Sequence, residues 1–183
     1  MFKLLLTLFM LSLITACSSP IQNRSPINEP FPLISGTNLN DENVELPNDL
    51  AGDLKLLLVG YKERSQFDID RWLIALDMTQ TNVTAYEIPT IFGMLPQMFE
   101  PFINDGMRKG IPKSLWGGVI TVFDDANKIT QLTGTENPTN ARVILLDEKG
   151  MIIYFYDQGF AVDALNDLRD TINSLSSHPK SIT

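Results

Sequence analysis

The sequence is short of the residues that most often do chemistry. Among its 183 residues there is one cysteine, Cys17, and one histidine, His178, in the polar C-terminal tail. With one of each, no nitrogen- or sulfur-rich metal site forms within a single chain. Ser65, the serine best placed to act as a nucleophile, has no nearby imidazole to serve as its base. Positive charge is scarce as well. Lys and Arg number 14 against 22 Asp and Glu, a formal net charge of −8. The only charge in residues 1–16 is Lys3, so the remainder carries 13 basic and 22 acidic side chains, a net −9. That balance argues against a nucleic-acid partner and against electrostatic attachment to anionic lipid. No triad, metal cluster or phosphate loop is visible, so the expectation is a protein that is not an enzyme and holds no metal or cofactor.

What is present suits one globular domain behind a short leader. Hydrophobic residues make up 44% and charged residues 20% of the chain, ordinary values for a protein with a core. Met1–Ala16 has a positive start at Lys3 and a short apolar run, Leu4–Ile14, too short to span a bilayer comfortably. It reads as a signal peptide. Ile14-Thr15-Ala16-Cys17 then resembles the bacterial lipobox. The resemblance implies a diacylglycerol thioether on Cys17, cleavage after Ala16 and acylation, with palmitate for example, of the new amine. The sole thiol is then blocked by lipid, and several acyl chains exceed what stable anchoring takes. Ser18 in place of Asp implies sorting to the outer membrane, facing the periplasm. Residues 17–30 are polar, with Pro20, Pro26 and Pro30, and read as the lipidated Cys and a flexible tether.

The domain is expected over residues 31–176, with a polar tail at 177–183. Leu33-Ile34 and Val44–Leu46, joined by the turn-rich Asn38–Asn43, predict a hairpin. Leu54–Gly60 is nearly all apolar, the pattern of a strand covered on both faces. Ser65 then stands as an N-cap with Asp68 in the capping-box position. Ile69, Trp72, Leu73 and Leu76 form one helical stripe. Val83–Ile91 predicts a second core strand, parallel to the first if the helix between them is a right-handed crossover. In Gly93–Pro112, Leu95, Phe99 and Phe102 share a helical face, with Met94, Met98 and Met107 beside them. Pro101 would break or kink a continuous helix. This inserted segment reads either as core packing or as a deformable binding surface. Gly118–Phe123 and Ala141–Leu146 predict further strands. Ile129 and Leu132 anchor a short helix or loop between them. Asp147–Gly150 is a tight turn into Met151–Tyr156, and Val162–Leu175 is an amphipathic C-terminal helix.

This order is an α/β layout, with a central mixed sheet flanked by helices, an N-terminal hairpin and an inserted helical segment. It resembles the thioredoxin-like fold. ARVILLDEKGMIIYFYDQG resembles the strand, turn and strand that close peroxiredoxin- and TlpA-like domains. FPLISGTNLNDENVELPNDLAGDLKLLLVGY resembles their opening hairpin and first core strand. The chain departs from the pattern twice. The redox pair of those domains would fall around Arg64–Phe67, where there is no cysteine. Their cis-proline would fall near Ala141, while Pro138 lies three residues earlier. A weaker resemblance, to thioredoxin-like assembly factors of mitochondrial ATP synthase, rests on the polar Ser-Gln turn. Together these imply a redox-inactive lipoprotein acting as a non-catalytic interaction or assembly module in the cell envelope.

The residues expected to contact a ligand or protein partner are Lys62, Arg64, Ser65, Gln66 and Met98. The first four stand at a helix N-terminus, which has free N–H groups and could equally bind an anion or small molecule. That is the alternative reading, beside a plain solvated loop. Asp124 and Asp125 read as a turn or as a carboxylate pair. Trp116 reads as packing or as an exposed anchor.

Overall fold

The computed structural model describes residues 19–92 and 100–176. The leader, Cys17 and Ser18 lie outside the described residues. So do Met94, Leu95, Pro96, Met98 and Phe99 of the inserted segment, and the tail with His178.

Strands β1 (Ile34–Asn38) and β2 (Asn43–Leu46) form the expected antiparallel hairpin. Strand β3 (Lys55–Gly60) is buried at every position. Helix α1 (Gln66–Met78) carries the chain across to β4 (Thr84–Pro89), which pairs parallel with β3. Helix α2 (Glu100–Gly110) follows, with Pro101 in its first described turn. A short 3-10 segment, Lys113–Gly118, leads to β5 (Ile120–Thr121). Helix α3 (Ala126–Thr133), strands β6 (Arg142–Leu146) and β7 (Ile152–Tyr156), and helix α4 (Val162–Ser176) complete the chain. The central sheet has the order β4-β3-β6-β7, and it is mixed, because β6 runs antiparallel to both β3 and β7.

The continuous apolar run of β3 is explained by what covers it. Leu56 and Leu58 face α1 and α4, where they meet Ile69, Trp72, Leu165 and Leu168. Leu57 and Val59 face the other way, into a core with Ile88, Ile129, Ile144 and the hairpin residues Ile34 and Leu46. A period-2 strand sandwiched between two layers needs apolar side chains on both faces. Each large apolar side chain so buried contributes roughly 1.5–3 kcal/mol of transfer free energy.

Two expectations are corrected. The predicted strand Gly118–Phe123 is only the two-residue β5, and it pairs with β1 of the hairpin rather than joining the central sheet. Single parallel bridges, Glu87 with Val119 and Thr90 with Val122, link it to β4. The segment read as a flexible tether is laid on the domain from Ile21 onward. Ile21 and Thr135 exchange backbone and side-chain hydrogen bonds, Asn23 N–H donates to Glu136, and Asn28 and Glu29 pair with Ile152. Of the two readings of the inserted segment, packing does not hold for Phe102, which is 79% exposed. The cis peptide among the described residues is Leu46–Pro47, in the hairpin.

Candidate functional site

The geometry of the site starts at Gly60, the last residue of β3. A Cβ there would lie 2.6 Å from Ser65 Oγ, so the absence of a side chain lets the next turn fold back over the strand end. Glu63–Ser65 form one 3-10 turn, and α1 begins at Gln66. This alters the role read for Ser65. Its side chain makes no capping bond; it is 2% exposed, and its Oγ donates to Lys62 O at 2.6 Å. The 3-10 turn occupies the place where a capping serine would stand free. Asp68, expected as its capping-box partner, instead accepts from Ala141 N–H at 3.3 Å and so fastens α1 to the start of β6.

A cleft of about 650 Å³ opens beside this turn, between the first turn of α1 and helix α2. Ile69, Pro89, Ile91, Ile103, Met107 and Ile111 supply apolar lining, and Lys62, Glu63, Gln66, Asp70 and Glu87 the polar rim. Its far wall is fixed. Asn104 of α2 is buried and accepts from Thr121 Oγ1 at 3.0 Å. Arg108 donates to Leu39 O at 2.8 Å and pairs with Asp41 and Asp105. The cleft therefore lies where the resemblance places a reactive turn, at the C-terminal end of two parallel strands.

The rim is acidic. Gln66 Nε2 donates to Asp70 Oδ1 at 2.9 Å and to Glu87 Oε2 at 3.1 Å. Burial pushes the Glu87 carboxyl above its ordinary range. The Gln66 hydrogen bond opposes that rise, and the charge of Asp70 adds to it. Lys62 sets its ammonium over the Phe92 ring, 5.4 Å from the centroid. Arg64 is exposed. The structure thus brings Lys62, Ser65 and Gln66 to one place, with Ser65 facing inward as part of the turn. Glu87, Asp70, Ile103 and Met107 were missed from the sequence. Glu87 had a signal: it is the one carboxylate within the strand-like run VTAYEIPTI.

Behind Tyr61 the structure closes. Its hydroxyl hydrogen-bonds Thr133 Oγ1 at 2.6 Å, and burial raises its pKa to about 12. Arg142, fully buried, lies 5.0 Å from the Tyr61 ring centroid and donates to Glu136 O, Asn137 O and Asn140 O at 2.6–2.9 Å. Asp125 accepts from Ser35 N–H at 2.9 Å and pairs with Lys128 at 2.8 Å, which suits the turn reading. Trp116 is half-buried and donates to Ile111 O at 2.9 Å, which suits packing. Among the described residues no group of three His, Cys, Asp or Glu side chains is placed to hold a metal ion. Nor is any described helix long and apolar enough to cross a membrane.

No protein-family model and no curated protein matches the chain. Solved structures do. BsSco, a member of the Sco family of cytochrome c oxidase assembly proteins with a disulfide switch, is 14% identical, with 85% of this chain and 98% of that one covered and a TM-score of 0.58. A SCO1/SenC family lipoprotein from Bacillus anthracis is 12% identical over 85% and 99% of the two chains, TM-score 0.57. A thiol peroxidase from Chromobacterium violaceum is 13% identical over 87% and 93%, TM-score 0.55. The last comparison overturns the expectation that the chain is not an enzyme. A peroxidase is built on this same frame, and the missing cysteine pair does not make a non-enzyme of the protein. At these identities the likeness concerns the fold, and the fold is thioredoxin-like.

Proposed function

We propose that the protein is an envelope-associated lipoprotein that works as an interaction or assembly module, held to the membrane by lipid on Cys17 and receiving a protein partner in the cleft between α1 and α2. The observation that carries this reading is the cleft itself. It is apolar within, rigidly walled, and set at the strand ends where the fold exposes its working turn. Two of the similar structures fit the same picture, one named a lipoprotein and one a member of a family of assembly proteins. The bound segment from Ile21 adds a geometric consequence. Only Ser18–Pro20 separate Cys17 from the first residue fastened to the domain. Three residues reach on the order of 10 Å, so a lipid there would hold Ile21, and the domain with it, close to the bilayer, facing the periplasm if Ser18 directs outer-membrane sorting. The second reading, a small-molecule or anion-binding lipoprotein, divides on the same observations. The cleft volume suits a small molecule, whereas three carboxylates around one ammonium disfavour an anion.

The test is in-cell photo-crosslinking from Gln66 and from Met107, with Lys149 on the β6–β7 turn as the control position. It is run in the parent chain and in Cys17→Ser, with palmitate labelling of both. A discrete protein adduct from the two cleft positions, absent from Lys149, is expected. The label and most of the adduct should be lost in Cys17→Ser. No adduct from either cleft position overturns docking, and label surviving the substitution overturns the anchor.

A further inference from the structure

The cleft's charge says what its occupant must carry. Its interior is apolar, with Ile69 from α1, Pro89 from β4, and Ile103 and Met107 from α2. On the rim of that surface Asp70 and Glu87 converge on a single neutral donor, the Gln66 amide. One amide N–H apiece is a poor match for two carboxylates, each able to accept several bonds. The lining's only cation, Lys62, is engaged with the Phe92 ring instead. Among the described residues no cation holds the Glu87 carboxyl down; burial and Asp70 push it up, and only the Gln66 hydrogen bond opposes them. A second positive group arriving here would pair the half-buried Glu87 and the exposed Asp70 at once, and an occupant covering the rim would shield that charge-assisted pairing from water.

We propose that the cleft takes an extended polypeptide segment bearing a lysine or arginine between apolar side chains, with the cation seated between Asp70 and Glu87 and the apolar neighbours against Ile103 and Met107. This rests on the docking reading and names the chemistry of its partner. A polypeptide is the occupant that fits, because the acids come from α1 and β4 and the apolar Ile103 and Met107 from α2, on the other wall of the cleft. An extended chain sends successive side chains to opposite sides, so a lysine can meet one wall while its neighbours meet the other. The acidic rim excludes segments of its own sign, so it sets specificity as well as affinity.

The test uses the full chain in neutral detergent and three labelled, end-blocked pentapeptides, Ala-Leu-Xaa-Leu-Ala, with lysine, norleucine or glutamate at the centre, read by fluorescence polarisation. The lysine peptide is expected to bind at least about tenfold more tightly than either other, and less tightly as salt rises. The Asp70→Asn, Glu87→Gln double variant, checked for folding by its thermal transition, should lose that preference while still binding the norleucine peptide. Equal binding of all three peptides overturns the proposal, as does no saturable binding of the lysine peptide up to about 1 mM, the weak end of specific recognition. An unchanged preference in a folded double variant overturns it too. Displacement by n-butylamine as effective as by the lysine peptide would make the occupant a small amine and overturn the polypeptide assignment. The docking reading fails separately, by loss of crosslinks. Crosslinks that form in a parent chain showing no lysine preference leave docking standing and remove the cation.

Discussion

Around Arg142 the chain buries a whole positive charge and meets it with its own carbonyl oxygens; around Glu87 it half-buries a negative charge and meets it with one amide. The two sites are neighbours, with Tyr61 lining the cleft on one side and covering Arg142 on the other. A buried charge costs several kcal/mol unless its hydrogen bonds are made. The Arg142 region makes most of them by folding the 134–140 loop and the N-terminal segment around the guanidinium, and among the described residues Nε alone is left buried without a partner. Asn23 accepts from Arg142 through Oδ1 and donates to Asp157 through Nδ2. The Glu87 region is half-buried and open along its rim, so it leaves most of them to solvent. A nearly closed polar cluster of the first kind gives rigidity, and an open one of the second kind is where a ligand can add its own hydrogen bonds.

The comparison breaks most sharply at Arg142. Arg142→Met keeps much of the apolar stem and strands the carbonyls of Glu136, Asn137 and Asn140 without their donor. The expected loss is about 3–4 kcal/mol of unfolding free energy, from several lost buried hydrogen bonds. Urea unfolding measures it. A loss below about 1 kcal/mol would mean that water satisfies the loop and that the cluster is not closed.

Gly134 is the next largest. It sits at φ 81, and a Cβ there would lie 2.4 Å from Asn23 Cα and 2.5 Å from Gln22 O. Gly134→Ala therefore pushes backbone against backbone in a conformation that L-residues resist, and about 2–3 kcal/mol is expected from strain together with the displaced segment. Amide exchange should rise at Ile21–Arg24 more than in the central sheet, since the segment can lift while the core stays folded. Faster exchange spread evenly over the domain would show the segment to be part of the global unit instead.

These two residues also mark how far the sequence could be read. The β3 run, the α1 stripe and the hairpin were legible because period and turn chemistry are local. Gly150, in the predicted tight turn, does sit at φ 77. The N-terminal segment was misread because its hold on the domain is polar and distant. Ile21 bonds to Thr135, 114 residues on, and a proline-spaced polar composition gives no sign of that. The Gly118–Phe123 run was read as a longer strand than β5 because a strand-like run carries its faces but not its partner. Ser65 looked like a cap by type and spacing, yet a glycine five residues earlier decided its burial. Within the site, Lys62, Ser65 and Gln66 were found from the helix start. Glu87 stayed hidden because alternation tells which face a residue takes and not which helix comes to lie beside it.

The smallest expected effect is the one that sharpens the comparison. Glu87→Gln keeps an oxygen to accept from Gln66 and removes the charge. Because the folded protein raises the Glu87 carboxyl above its ordinary 4.5, the stability linked to that proton is fully present below pH 4.5 and is lost as pH rises through the folded value. The variant cannot suffer that loss. Its unfolding free energy relative to the parent should therefore rise between pH 4 and pH 7, by less than about 1 kcal/mol for a partly solvated group. Urea titrations of both proteins at the two pH values read the difference. Arg142→Met and Glu87→Gln would then move stability in opposite directions. A variant less stable than the parent at pH 7 would place Glu87 with Arg142, as a structural charge already satisfied. A variant slightly more stable, and unable to prefer the lysine peptide, would be the pattern of a carboxylate kept at some expense to the fold for a cation the chain itself does not supply.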